Sequence, residues 1–366
     1  MRIAMIGHKR VPSRSGGVEV VVTELSKRMA QWGHSLMIYN RYYGENQLSE
    51  WEGCKVTEIP TPSWEKKSSA LSYTIRATQK ACRQNYDVLH FHAEGSCAMI
   101  PLAKLHHKAC VATIHGLDWK RSKWGRYASL YIRFGELMAA KHADRIIVLS
   151  KGVQEYFLEK YHRQTTLIPN GITRLPYRAP NLIDKQFGLK KDNYILFLAR
   201  ITPEKGLHYL IEAYSQIDTD IPLVIAGDIS DGNAYVKSVQ KMAKDNPKII
   251  FTGFVQGELL EELYSNCRLY VLPSEIEGMP MSLLEAMSFR APCLVSDIPE
   301  NRDVVSGYPT LFHSKDTADL KIQLERLLSE PVKRFTEEEV SEMLKDYDWD
   351  NIARLTLKEY IAARHV

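Results

Sequence analysis

Cysteine is scarce and scattered. Cys54, Cys82, Cys97, Cys110, Cys267 and Cys293 form no CxxC pair and join no histidine cluster, which excludes the usual structural zinc spacings. In a chain of 366 residues such cysteines are expected to be free thiols in a reducing cytoplasm. No stretch approaches the roughly 18 consecutive apolar residues that would span a bilayer. The opening MRIAMIGHKR carries charge at Arg2 and again at Lys9, so it reads as a buried first strand, Ile3–Gly7, and not as a secretory leader. Internal repeats and low-complexity tracts are missing. The dinucleotide fingerprint GxGxxG is missing too.

Ordinary globular composition is present: 45% apolar and 25% charged residues, enough in a chain this long for two domains with separate cores. The net charge of +4 conceals an asymmetry. Residues 1–180 hold 27 of the 48 Lys and Arg but 14 of the 44 Asp and Glu, so they carry +13 and the remainder −9. The basic half wants an anionic partner: a membrane surface, a phosphorylated acceptor or nucleic acid. No nucleic-acid recognition motif accompanies it, so no nucleic-acid partner is expected.

Short apolar runs alternate with amphipathic stretches. RIAMIG, SLMIYN, DVLHFH, CVATIHG, RIIVLS and TTLIPN read as strands, with helices at Val18–Gln31 and Leu130–Ala143. After Asn170-Gly171 an irregular segment reads as a linker. The pattern then restarts with YILFLAR, PLVIAGD, KIIFTGFV, LYVLPSE and PCLVSD. The reading is α/β: two doubly wound parallel sheets in series, with ligands expected beyond the carboxyl ends of the strands, in a cleft. The C-terminal YDWDNIARLTLKEYIAARHV reads as an amphipathic helix with Asp348 or Asp350 at its cap.

That expectation selects residues. In PSEIEGMPMSLLEAMSF, the strand LYVLP ends at a loop, and Pro280 suits the first turn of the helix that follows. Such a helix start seats phosphate, with Gly278 allowing close backbone approach. Glu277 would accept from hydroxyls and Glu285 would grip a vicinal diol; a surface acid and a helix-dipole partner are the plainer alternatives. In YILFLARITPEKG, Arg200 as a fork and Lys205 as a point charge follow another strand and would neutralise a diphosphate. Gly16-Gly17 opens a helix after the first strand and permits approach of an anion, or is simply a turn. His115 at the end of VATIH hydrogen-bonds substrate, acts as a base, or caps the sheet. His90 and His92 share one strand face, and at least one is expected in the core. Asp218 and Asp220 lie at the wrong end of their strand to hold a metal, so no metal site is expected. WKRSKWGRY (119–127), with Lys104, His106, His107 and Lys108 nearby, has the cations and aromatics of a peripheral membrane contact, or of an ordinary solvated face.

LFLARITPEKG, LVIAGD, IIFTGFV and SEIEGMPMSLLEAM, with SGGVE, DVLHFH, TIHG, RIIVLS and IPNGI before them, resemble the large retaining glycosyltransferase family called family 4, of the two-domain GT-B fold. The resemblance covers nearly the whole chain, and the family's Glu-x7-Glu pattern stands intact at Glu277 and Glu285. The opening IGHKRVPSRSGGVEVVV is also similar to a subset used in bacterial surface-polysaccharide assembly, including rhamnosyltransferases. The resemblance implies two Rossmann-like domains, an acceptor-side one at 1–175 and a nucleotide-sugar-binding one at 176–345, with a helix at 346–366 returning to the first. It implies Arg200 and Lys205 on the donor diphosphate, Glu285 on the ribose, and Glu277 and His115 on the donor sugar. Gly278, Met279, Pro280 and Ser282 would line the sugar–phosphate site, Gly253 and Phe254 would border the base, and Gly16 and Gly17 would meet the phosphates. The partners implied are a nucleoside-diphosphate sugar and a glycan or lipid-linked acceptor, with no cofactor. Two other classes remain: a sugar-nucleotide epimerase or hydrolase, which would turn over donor without acceptor, and a non-catalytic nucleotide-sugar-binding protein, which would yield no product.

Overall fold

The computed structural model describes residues 1–13, 16–42, 44, 48–60, 69–120, 125–229, 233–304 and 307–365. The chain divides into two compact units, Met1–Gly171 with Tyr347–Val366, and Ile172–Asp346.

The first unit is built on an eight-stranded sheet in the order β3-β4-β2-β1-β5-β6-β7-β8. Its strands are β1 (Arg2–Ile6), β2 (Ser35–Arg41), β3 (Glu50–Trp51), β4 (Cys54–Ile59), β5 (Val88–His92), β6 (Ala109–Ile114), β7 (Arg145–Val148) and β8 (Thr166–Leu167). All pairings are parallel except the short β3–β4 ladder at the edge. The central strands read as continuous apolar runs because helices cover both faces; Ile3–Ile6 and Val88–Phe91 are fully buried. The expected strand TTLIPN shrinks to Thr166–Leu167, since β8 is an edge strand, paired with β7. The helix expected from Leu130 begins a turn earlier, at Arg126.

The second unit carries a six-stranded parallel sheet in the order β11-β10-β9-β12-β13-β14. Here β9 is Ile195–Leu198, β10 Leu223–Ala226, β11 Ile249–Gly253, β12 Leu269–Leu272, β13 Cys293–Ser296 and β14 Thr310–Phe312. From β9 the chain lays β10 and β11 to one side, then β12, β13 and β14 to the other, so the winding reverses between β9 and β12. Such a reversal leaves a crevice beyond the carboxyl ends of the two strands.

The segment after Gly171 is not a bare linker. It holds the helix Leu182–Phe187, whose start is capped from outside: Asn181 N and Ile183 N both donate to Glu262 Oε2, at 2.9 and 3.0 Å. Arg178 pairs with Glu261 at 2.7 Å. Both acids sit on the helix Gly257–Asn266, so the segment folds onto the second unit. The C-terminal helix Trp349–Ala363, capped by Asp348, lies in the first unit. Its Tyr360 hydroxyl is 2.6 Å from His90 Nδ1 and Glu359 pairs with Arg145 at 2.7 Å. The indole of Trp349 fits against Gly171, where a Cβ would come within 2.5 Å of the ring.

Candidate active site

The second unit's switch point collects most of the residues picked out by sequence. The strand β9 ends before Arg200, and a tight turn, Pro203–Lys205, leads to the helix Leu207–Tyr214. The strand β12 ends before Pro273, and the loop through Pro280 leads to the helix Met281–Ser288. These two connections are stapled together. Glu275 N donates to Glu204 O at 2.9 Å. Gly206 has φ +67, and a Cβ there would lie 1.9 Å from Pro273 O, so both the backbone conformation and the close approach demand glycine. Tyr209 donates to Glu275 Oε1 at 3.0 Å and Lys315 pairs with its other oxygen at 2.8 Å. From below, Ser296 Oγ donates to Ser274 O at 2.5 Å.

The staple brings Lys205 and Glu277 into contact. Lys205 Nζ donates to Glu277 Oε1 at 2.5 Å, and Ser274 Oγ donates to the same oxygen at 2.6 Å. Their side chains are 13% and 6% exposed, so this pair is largely shielded from water. Glu277 Oε2 receives no hydrogen bond among the described residues, and the ammonium has two further protons to give. The pair thus offers a directed acceptor and a directed cation side by side. Arg200 is exposed, and its guanidinium makes no ion pair among the described residues.

The helix Met281–Ser288 starts without a side-chain cap, which leaves its positive end for an anion. Pro280 stands at its N-cap and not in its first turn as expected, because Leu283 N and Leu284 N both donate to Pro280 O. Gly278, Met279 and Pro280 are buried. Ser282 Oγ accepts from Tyr270 at 2.8 Å and keeps its own proton to donate. Glu285, half-buried, accepts from the buried Tyr264 hydroxyl at 3.2 Å. At the end of β11, Gly253 has φ +74 and Gly227 N donates to its carbonyl at 3.0 Å. The neighbouring Phe254 ring is 58% exposed, available for stacking.

The first unit has its own reversal, between β1 and β5. Here Gly7 has φ +111, and a Cβ would clash with His92 O at 2.2 Å. Gly16 forms the N-cap of the helix Gly17–Gln31, and a Cβ at Gly17 would meet nothing. The buried Glu19 lies beside Gly16, with Oε1 accepting from Lys9 N at 2.9 Å. Ser15 lies outside the described residues. His115 is buried, with Nε2 3.2 Å from His92 Nδ1. Both strand histidines, His90 and His92, are buried. His90 Nε2 lies 2.7 Å from Thr113 Oγ1, and His8 Nε2 lies 3.0 Å from Asn40 Oδ1. Burial, with the charge of His115 second, lowers His90 to about 3. Burial lowers His8 to about 4 against the hydrogen bond to Asn40, and burial with the neighbouring His90 holds His92 well below the ordinary range.

Beyond His115 the chain is anchored by two buried acids that sequence reading missed. Asp118 N donates to Glu94 Oε2 at 2.8 Å, and Trp119 Nε1 donates to Glu136 Oε2 at 2.8 Å. Glu136 Oε1 also accepts from Tyr156, Lys160 and Tyr161, at 2.8, 2.9 and 2.5 Å. Burial works to raise the Glu136 carboxyl, but these hydrogen bonds prevail and hold it ionised below the usual range. Burial first and then the charge of Asp118 hold the neighbouring Glu94 carboxyl well above the usual carboxylate range. Trp119 is therefore tied to this anchor and half-buried, with Arg133 and Lys160 over its ring. Lys104 pairs with Asp144 at 2.7 Å and Lys108 donates to Gln84 O at 2.6 Å. Residues 121–124 of that stretch lie outside the described residues.

Asp220 pairs with Lys248 at 2.8 Å at the amino end of β10. Among the described residues no group of three or more His, Cys, Asp or Glu is placed to hold a metal ion. The cysteines are buried free thiols. Among the described residues no helix is long and apolar enough to cross a membrane.

Two parallel-sheet α/β units of this kind make up the GT-B fold, and the matches to known families support a glycosyltransferase. Residues 15–174 match the family described as Glycosyltransferase Family 4 and residues 181–346 the one described as Glycosyl transferases group 1. The chain is 25% identical to an uncharacterised glycosyltransferase of Methanocaldococcus jannaschii over 98% of each chain. It is 28% identical to the UDP-Gal:alpha-D-GlcNAc-diphosphoundecaprenol alpha-1,3-galactosyltransferase of Escherichia coli, over 62% of this chain and 61% of that one. The solved sucrose-phosphate synthase of Thermosynechococcus elongatus superposes with a TM-score of 0.84 at 18% identity, covering 98% of each chain; that likeness speaks for the fold alone.

Proposed function

We propose that this glycosyltransferase moves a sugar from a nucleoside-diphosphate sugar to an acceptor hydroxyl with retention of configuration and without a metal ion. We assign it to the cytoplasm and to assembly of a bacterial surface polysaccharide or glycolipid, on a glycan or lipid-linked acceptor. The observation that carries the donor chemistry is the shielded Lys205–Glu277 pair at the switch point, with one carboxylate oxygen and two ammonium protons uncommitted among the described residues. In this proposal Glu277 Oε2 accepts from a hydroxyl of the donor sugar. Lys205 turns its remaining protons to the diphosphate, joined by Arg200 and the uncapped helix start with Gly278, Met279, Pro280 and Ser282. Glu285 takes the ribose, and Gly253 and Phe254 border the base. On the first unit Gly16, Gly17 and His115 are assigned to substrate binding.

As the glycosidic bond breaks, negative charge grows on the leaving diphosphate, and cations fixed beforehand stabilise it without reorganisation. The acceptor attacks from the leaving-group side and a donor phosphate oxygen takes its proton, so no covalent nucleophile is required. The lipid-linked acceptor is favoured by the diphosphoundecaprenol substrate for which the Escherichia coli relative is named. The test is Glu277→Gln, which preserves shape and the Ser274 contact. Assayed against a panel of nucleotide sugars with a lipid-diphosphate acceptor, it should lower transfer on the order of a hundredfold or more. Undiminished transfer by the variant would reject the assignment.

A further inference from the structure

Helix Arg126–His142 is apolar on two opposite sides. Ile132, Gly135, Glu136, Ala139 and Ala140 are buried in the first unit. The helical period sets Tyr127, Leu130, Phe134 and Leu137 along the other side. There Tyr127 is 89% exposed, Leu130 66% and Phe134 47%. Arg126, Arg133 and Lys141 are exposed on the same side. The helix's one acid, Glu136, is buried and bound to Lys160, so the outward face presents cations and large apolar groups with no anion between them. It runs the length of the helix, about 25 Å at 1.5 Å per residue.

We propose that this face docks the protein on an anionic lipid bilayer, with Tyr127, Leu130 and Phe134 entering the interface and Arg126, Arg133 and Lys141 meeting headgroup phosphates. Exposed apolar stripes of this size on a soluble surface mark contacts, and an aromatic and leucine row edged by arginine and lysine is the composition that partitions into a bilayer interface. Charge selects the occupant. A second copy of the same face would oppose cation to cation, whereas an anionic leaflet complements it, and the whole half of the chain around it carries +13. The basic surface noted at 119–127 thus continues along the helix that begins at Arg126, while Trp119 is held by its hydrogen bond to Glu136. The inference needs neither donor nor acceptor, so vesicle binding and sugar transfer can fail independently.

The experiment is cosedimentation of the full chain with vesicles of phosphatidylcholine containing phosphatidylglycerol, against pure phosphatidylcholine, at low and high salt. Binding to the anionic vesicles that weakens in salt is expected. Arg126→Gln and Arg133→Gln should each weaken it by roughly fivefold, and the double variant Leu130→Ser/Phe134→Ser on the order of tenfold or more. All these sites are exposed, and unchanged melting would establish that the variants are folded. Absence of binding to anionic vesicles, equal binding to neutral ones, or binding indifferent to all these substitutions overturns the proposal. So does a dimer in solution that the Leu130→Ser/Phe134→Ser variant dissociates.

Discussion

Alanine at 205 and glutamine at 277 break the same ion pair with unequal consequences. Lys205→Ala strands a carboxylate that is 6% exposed, and an uncompensated buried charge costs about 3–5 kcal/mol. Glu277→Gln leaves a lysine whose flexible stem can carry its charge towards water, so it should cost clearly less. Urea unfolding of the two variants should rank them in that order; equal midpoints would mean that the pair is not shielded. Gly206→Ala tests the staple. With φ +67 and Pro273 O at 1.9 Å from the new Cβ, the turn must move. The variant should lose about 1–3 kcal/mol and also lose donor binding, measured by calorimetry, although residue 206 offers no side chain to a ligand. The glutamate spacing and the cations after β9 were legible in the sequence because they follow strand ends. Their mutual contact was not, because 72 residues separate Lys205 from Glu277 and only the sheet order makes β9 and β12 neighbours. Ser274, which shares Glu277 with Lys205, gave no signal beyond its place in the loop.

At the scale of elements, β5 carries His90 and His92 into the first unit's core, with His8 after β1 nearby. Their folded values lie below the ordinary 6.5, so below about pH 6.5 the unfolded chain binds more protons than the folded one. The stability these neutral rings contribute is full above that pH and is lost as pH falls towards about 4 for His8 and about 3 for His90. Each supplies up to about 1.4 kcal/mol per pH unit in that window. Thermal melting between neutral pH and the acid limb should show this fall, and His90→Gln should flatten it. A melting temperature level through that range would contradict the burial of these rings. The sequence placed both histidines on one strand face from their alternation. It did not reveal the Glu94–Glu136 anchor, since a glutamate inside an amphipathic helix ordinarily faces water and Gly135 beside it gives no hint that the helix presses against Glu94 O.

At the scale of the whole molecule, the last helix belongs to the first unit although more than 170 residues of the second intervene. Removing Trp349 onward would expose the partners of Trp349, Ile352 and Tyr360, each of which is almost fully buried. At about 1.5–3 kcal/mol per large apolar side chain, that loss rivals the usual net stability of a domain. The truncated chain should therefore melt far lower or fail to fold, as judged by circular dichroism and solubility, and an unchanged transition would show that the helix is dispensable.

The amino-acid sequence by itself determined the fold class, because uninterrupted β-rich runs between amphipathic stretches admit little besides parallel sheets covered on both faces. It also determined which chemical groups sit beyond strand ends. Tertiary structure decided which of those groups touch, that Trp119 is tied to Glu136 while Leu130 and Phe134 stay exposed, and that the segment after Gly171 is anchored by Glu261 and Glu262. Periodicity is a property of neighbours along the chain, whereas the order of strands in a sheet, and every contact that depends on it, is settled only when distant segments compete for the same buried surface.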